Sequence, residues 1–180
     1  MPGKVIGMNE DILYTPEEIA NKLKITKNTV YEIIKRGELD AHRIGKHLRI
    51  SGAQFEFYLL KTKGSGNIYE AIISSDNGKT IAKAGAIEIR VITSMTGNVK
   101  ISVRPEDIIL SKGTFISSAR NVFPGIVEDI AEDINSVRVV LDIGIPIEAR
   151  ITKESLNEMD IRKGDKLYAI FKAMAVKVYK

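Results

Sequence analysis

The polar, glycine-rich stretch Lys61-Thr-Lys-Gly-Ser-Gly66 separates two hydrophobic periods that no single layer of structure can share. Before it, apolar residues recur at helical spacing. After it, short alternating runs divided by turn residues continue almost to residue 180. The expectation is therefore an α+β multidomain chain. A weaker break at Ser111-Lys-Gly-Thr114 suggests three segments: 1–63 helical, 64–113 β-rich (a partial or complete small barrel), and 114–180 a second β-rich domain. No internal repeat at a fixed period stands out. Cysteine is absent, which excludes disulfides, thiol nucleophiles and cysteine-ligated metals. No apolar run approaches the roughly 20 residues of a membrane span, and the N-terminus lacks a signal-peptide core, so the expectation is cytosolic with no membrane partner.

The first segment reads as helix, turn, helix, hairpin, helix. Thr15-Pro16-Glu17-Glu18 combines an N-cap, a proline at the first helical position and a capping-box acid. Ile19, Ala20 and Leu23 follow on one face. Thr26 caps a second helix that turns Val30, Ile33 and Ile34 inward, and Gly37 ends it. Leu39–Ile44 and His47–Ile50 read as strands joined by Gly45-Lys46. Ser51-Gly-Ala-Gln54 is a second capping box, opening a helix through Phe55, Tyr58 and Leu59.

Two short helices, a tight turn and a hairpin make a winged helix-turn-helix. Charge coincides with that pattern. Residues 24–49 carry seven basic side chains (Lys24, Lys27, Lys35, Arg36, Arg43, Lys46, Arg49) against three acidic ones. The exposed face of the second helix offers Thr26, Lys27, Asn28, Thr29, Tyr31 and Lys35 to phosphates or base edges. Arg43, Lys46, His47 and Arg49 sit on the wing. Double-stranded DNA is the expected partner; the alternative is an ordinary solvated surface. The only two histidines, His42 and His47, lack a third ligand nearby, so no metal site is expected.

The run YTPEEIANKLKITKNTVYEIIKRGELDAHRIGKHLRIS resembles the excisionase-type, MerR-like DNA-binding domain. Its wing pattern is complete in Gly37, Leu39, Ala41, Arg43, Gly45, Arg49 and Ile50. The resemblance implies that Thr26–Lys35 enters the major groove.

From Ile68 onward, strands are expected at Asn67–Ser74, Ile81–Ala84, Ile87–Thr93, Val99–Val103, Val122–Ile130, Val137–Ile143, Ile147–Ile151 and Lys166–Val178, suggesting small barrels. Gly78-Lys79-Thr80 invites a phosphate-loop reading, but the first glycine of that motif falls on Ile73; an Asn77-Gly78 hairpin turn is the better account. In the final strand both faces are apolar: Leu167, Ala169, Phe171 and Ala173 on one, Ile170, Met174, Val176 and Val178 on the other. A barrel buries only its inner face, so a homo-oligomer through residues 114–180 is expected.

Polar exceptions stand out against that background. Ser118 and Arg120 open one strand, Thr152 ends another, and Lys172 interrupts the most apolar one. Cations, hydroxyls and free backbone N–H groups are what a tetrahedral divalent oxyanion needs, although each residue alone is also an ordinary surface choice. The runs SARNVFPGIVEDI and VRVVLDIGIPIEARITKESLNEMDIRKGDKLYAIFKAMAVKVY resemble the molbindin (Mop, or TOBE) domain over 114–180. The resemblance implies an OB-like five-stranded barrel and molybdate or tungstate as ligand. It matches Ser118, Arg120 and Thr152 to binding positions, with Lys172 and the Ala173 backbone amide supplied by a neighbouring subunit. VRPEDIILSK resembles the C-terminal regulatory part of oxyanion-transporter ATPases, whose Walker motif is missing here.

The expected function is a transcriptional regulator that senses molybdate or tungstate. A cytosolic oxyanion store and a DNA-bending recombination accessory factor are the alternatives. There is no nucleophile–base pair, no paired carboxylates and no cofactor fingerprint, so neither an enzyme nor an organic cofactor is expected.

Overall fold

The computed structural model describes residues 12–62, 66–76 and 78–179 and divides them into two compact units at the Ser65/Gly66 junction. Lys63-Gly-Ser65 of the linker and Asn77 of the expected hairpin turn lie outside the described residues.

In the first unit a two-residue strand, β1 (Leu13–Tyr14), precedes α1 (Pro16–Leu23) and α2 (Lys27–Lys35). The capping box of α1 is complete: Thr15 Oγ1 accepts the Glu18 N–H at 3.2 Å, and the Glu18 carboxylate accepts the Thr15 N–H at 2.7 Å. The hairpin β2 (His42–Ile44) and β3 (His47–Ser51) turns at Gly45-Lys46, with Gly45 at a φ of 60°. Ser51 and Gln54 form the second box, at 2.8 and 3.1 Å, opening α3 (Gly52–Thr62). β1 was not expected; it pairs with β3 and widens the wing to three strands. Ile19, Ala20, Val30, Ile33, Leu39, Ile50 and Tyr58 fill the core between helices and wing.

The second unit holds β4 (Asn67–Asp76), β5 (Lys79–Ala84), β6 (Ile87–Arg90), β7 (Gly97–Val103), β8 (Ile109–Ser111), β9 (Asn121–Glu132), β10 (Val137–Asp142), β11 (Pro146–Ile151), α4 (Lys153–Glu158), β12 (Lys166–Phe171) and β13 (Lys177–Tyr179). They form two five-stranded sheets with orders β6-β5-β4-β7-β13 and β11-β10-β9-β12-β8. The two orders correspond strand for strand. In each, a long strand leads a three-stranded meander and pairs on its other side with a fourth. The fifth is exchanged: β8, which follows β7, joins β12, and β13, which follows β12, joins β7.

Side-chain contacts obey the same exchange. The Asn67 amide bonds both backbone groups of Glu148 in β11, at 2.6 and 2.8 Å. The Asn121 amide bonds both backbone groups of Arg90 in β6, at 2.7 and 3.0 Å. The hairpin tips touch reciprocally. A Cβ on Gly85 would meet Ile145 at 3.0 Å, and one on Gly144 would meet Ile87 at 2.9 Å. One apolar core, with Ile89, Ile101, Leu141, Ile147, Leu167 and Phe171, runs through both sheets.

This architecture corrects two sequence expectations. Segments 64–113 and 114–180 share sheets and a core, and their strand order repeats. The repeat has no fixed period because residues 91–96 join β6 to β7 directly, whereas residues 152–165 carry α4 between β11 and β12. The expected strand Lys166–Val178 is two strands separated by a 3-10 turn at Ala173–Ala175. Val176 is buried in the chain's own core, and Val178 packs against it in the other sheet. The two apolar faces therefore need no second subunit to cover them.

Candidate nucleic-acid interface and anion site

The first unit gathers Lys27, Arg43, Lys46 and Arg49 around one concavity. α2 turns Val30 and Ile33 to the core, which leaves Lys27, Asn28, Tyr31 and Lys35 exposed on its other face. Lys27 and Tyr31, one helical turn apart, line a concavity of about 340 Å³ with Arg43, Lys46, His47 and Arg49 of the wing and the start of α1. Asn28, Lys35, Thr26 and Thr29 do not line it. Thr26 is occupied as the α2 cap, accepting the Thr29 N–H at 3.2 Å, and the two hydroxyls lie 2.8 Å apart. Sequence reasoning missed Glu17, which lines the same concavity and approaches Lys27 Nζ at 3.5 Å. Its position in the first turn of a capped helix gave it a local explanation that concealed the tertiary one. The histidines diverge: His47 faces the concavity, while His42 Nε2 lies 2.9 Å from the Gln54 amide at the start of α3. Bonding to the Thr15 backbone holds the Glu18 carboxyl below its ordinary value.

In the second unit four of the five expected anion residues lie on chain segments that adjoin one end of the β9–β12 ladder. Asn121 and Phe171 are the last pair of the β9–β12 ladder. Ser118 and Arg120, three and one residues before Asn121, lead into β9, and Lys172 and Ala173 follow Phe171 beyond the end of β12. Ser118, Arg120 and Lys172 are exposed and Ala173 is half-buried. Thr152 stands elsewhere in the register. It follows Ile151, which aligns through Val137 with Glu132 at the far end of β9. Its hydroxyl caps α4, accepting the Ser155 N–H at 3.0 Å. Sequence reasoning also missed what Asn121 does. It is buried and fixes that strand end to β6 through Arg90. Exposed cations beside a strand-end amide, with no carboxylate bonded to them among the described residues, are suited to a multivalent anion.

Family comparison agrees with this division. Residues 13–63 match the helix-turn-helix domain and residues 117–178 match the TOBE domain, so the chain joins a helix-turn-helix domain to a TOBE domain. Among individual proteins it is similar to the molybdate/tungstate import ATP-binding protein WtpC of Pyrococcus horikoshii. The identity is 41% over 118 residues, covering 64% of this chain and 33% of the relative. The Pyrococcus abyssi WtpC is 43% identical over 112 residues, 62% of this chain and 33% of the relative. The chain thus spans about a third of the length of these relatives. The uncharacterized protein YvgK of Bacillus subtilis is 45% identical over 51 residues, 28% of this chain and 17% of YvgK. The fold is that of the cytoplasmic molybdate-binding protein ModG, whose crystal structure with molybdate bound superposes with a TM-score of 0.54. It covers 63% of this chain and 94% of ModG at 20% identity. No described helix is long and apolar enough to cross a membrane.

Proposed function

We propose that the chain is a cytoplasmic transcriptional regulator, not an enzyme, that binds double-stranded DNA through its winged helix-turn-helix. It senses molybdate or tungstate through Ser118, Arg120, Thr152, Lys172 and Ala173, at a contact between copies of the chain. The observation that carries this reading is the pairing, in one chain, of a basic concavity walled by α2 and the wing with exposed cations at the β9–β12 strand end. In this reading Asn28 and Tyr31 read base edges; Lys27, Lys35, Arg43, Lys46, His47 and Arg49 meet phosphates, and Thr26 and Thr29 set the N-terminus of α2.

The anion residues offer donors only. Molybdate and tungstate carry two charges and no proton near neutral pH, which suits them. The proton of hydrogen phosphate would lack an acceptor, a mismatch of roughly 1–3 kcal/mol. An oligomer is supported by the exposed apolar side chains beside these cations. Ile109 and Val122 are the register neighbours of Ile170, and Met174 is two residues from Lys172; all three are exposed.

The test is fluorescence anisotropy of a labelled duplex library with the full chain, with and without tungstate or molybdate. DNA affinity is expected to change by about fivefold or more, the usual lower range of allosteric coupling. DNA binding indifferent to both anions would overturn the sensor reading.

A further inference from the structure

The second unit builds the same corner twice. In each half a strand runs into a single 3-10 turn and then crosses to the other sheet: β7 through Pro105–Asp107 to β8, and β12 through Ala173–Ala175 to β13. The backbones coincide. Arg104 precedes the first turn at φ −70°, ψ 139°, and Lys172 precedes the second at φ −75°, ψ 147°. Ile108 and Val176 leave the turns at φ −99°, ψ 119° and φ −81°, ψ 117°. Opposite each turn, a buried asparagine opens the long strand, Asn67 in one half and Asn121 in the other.

The side chains at these matched positions differ in one direction. Where the second half has Arg120 before its asparagine, the first has Gly66. Where the second has Ala173, with a backbone N–H to give, the first has Pro105, which has none. Where the second has Ala175, the first has Asp107, whose carboxylate grips the Arg104 guanidinium by two bonds, Nε to Oδ2 at 2.9 Å and Nη2 to Oδ1 at 3.2 Å. A cation already holding a bidentate carboxylate has its best anion-facing donors in use.

We propose that oxyanion binding is confined to the second corner, and that Asp107 and Pro105 close the first, so that the chain takes no more than one oxyanion. Asp107 is an internal counter-anion for Arg104, and the first half serves as the scaffold that completes its partner's sheet. This rests on the oxyanion reading above and adds its stoichiometry and the feature that sets it.

The two corners also supply the test, because each substitution that would close the second is already accommodated in the first. Ala173→Pro removes one N–H without changing charge. Lys172 already has the extended backbone that a following proline requires, and position 173 opens a turn, where proline fits. Ala175→Asp places a carboxylate in the same turn as Lys172. Isothermal calorimetry with tungstate on the full chain is expected to give one site or fewer per chain. Ala173→Pro and Ala175→Asp are each expected to weaken it about tenfold or more, the loss of one charge-assisted hydrogen bond. Arg104→Ala is expected to stay within about twofold. Superimposable circular-dichroism melts establish that the variants are folded. Two tungstates per chain, an unchanged Ala173→Pro variant, or a loss in Arg104→Ala matching that in Ala175→Asp would each overturn the proposal while leaving oxyanion binding intact. No binding of tungstate or molybdate by the unmodified chain would instead overturn the oxyanion reading, and this inference with it.

Discussion

The caps of the helix-turn-helix unit join residues three apart: Thr15 with Glu18, Thr26 with Thr29, Ser51 with Gln54. The joints of the β unit span 31 residues between Arg90 and Asn121, 77 between Ser102 and Tyr179, and 81 between Asn67 and Glu148. The first unit can therefore lose a contact and yield locally. In the second, each half holds a strand or a backbone segment of the other, so damage in one is transmitted to both.

The largest expected effect follows from the exchange. Removing residues 176–180 deletes β13 together with the buried Val176 and Tyr179, which complete the sheet led by β4. A loss of about 4 kcal/mol or more is expected, the range for large core truncations, and hydrogen exchange should rise in β7 and β4 as well as near the new terminus. Exchange confined to the cut end would break the comparison. Asn121→Ala strands the backbone groups of Arg90 and should cost about 3 kcal/mol, read as a shift in the denaturation midpoint of the β unit alone. If the helical unit shifts equally, the two units are not independent.

Smaller effects belong to the first unit. Reversing Arg43 and Lys46 to Glu together should weaken binding to all duplexes alike by about tenfold and flatten its salt dependence, whereas Asn28→Ala should change sequence preference. Thr15→Ala removes a cap and should cost about 1 kcal/mol of the helical unit's stability without touching the β unit. The smallest effect is a pH dependence. Glu18 has a lowered pKa, so its contribution is present above the ordinary carboxyl value and is lost as pH falls through the folded one. Glu18→Gln should flatten that acid limb in a thermal-melt series; an unchanged limb would assign it to another carboxylate.

The same contrast explains what could be read in advance. Both capping boxes, the helix boundaries and the β2–β3 hairpin of the wing were legible because each depends on residues within one or two turns; β1, whose partners Ser51 and Ile50 lie beyond both helices in sequence, was not. The strands were legible as strands, but not their partners. A period of two states which face is buried, not which chain segment lies alongside. That is why the continuous apolar run from Lys166 to Val178 suggested a second subunit, although the structure breaks it at Lys172 and sends its end to the other sheet. Four of the residues expected to hold an anion were legible as polar exceptions, and they adjoin one end of the β9–β12 ladder. Thr152 follows a different strand end, and nothing in its I-T-x-x-S setting distinguishes a ligand from the cap of a short helix.

The exchange of β8 and β13 also orders events during synthesis. The helix-turn-helix unit is complete once Thr62 has emerged, but the sheet begun at Asn67 lacks its last strand until Lys177–Tyr179 is made. At roughly 5–20 residues per second, that sheet waits on the order of ten seconds with the edge of β7 unpaired. The nascent protein therefore carries a finished helix-turn-helix unit while its β unit still exposes a strand edge, the kind of surface that invites pairing with a neighbouring chain.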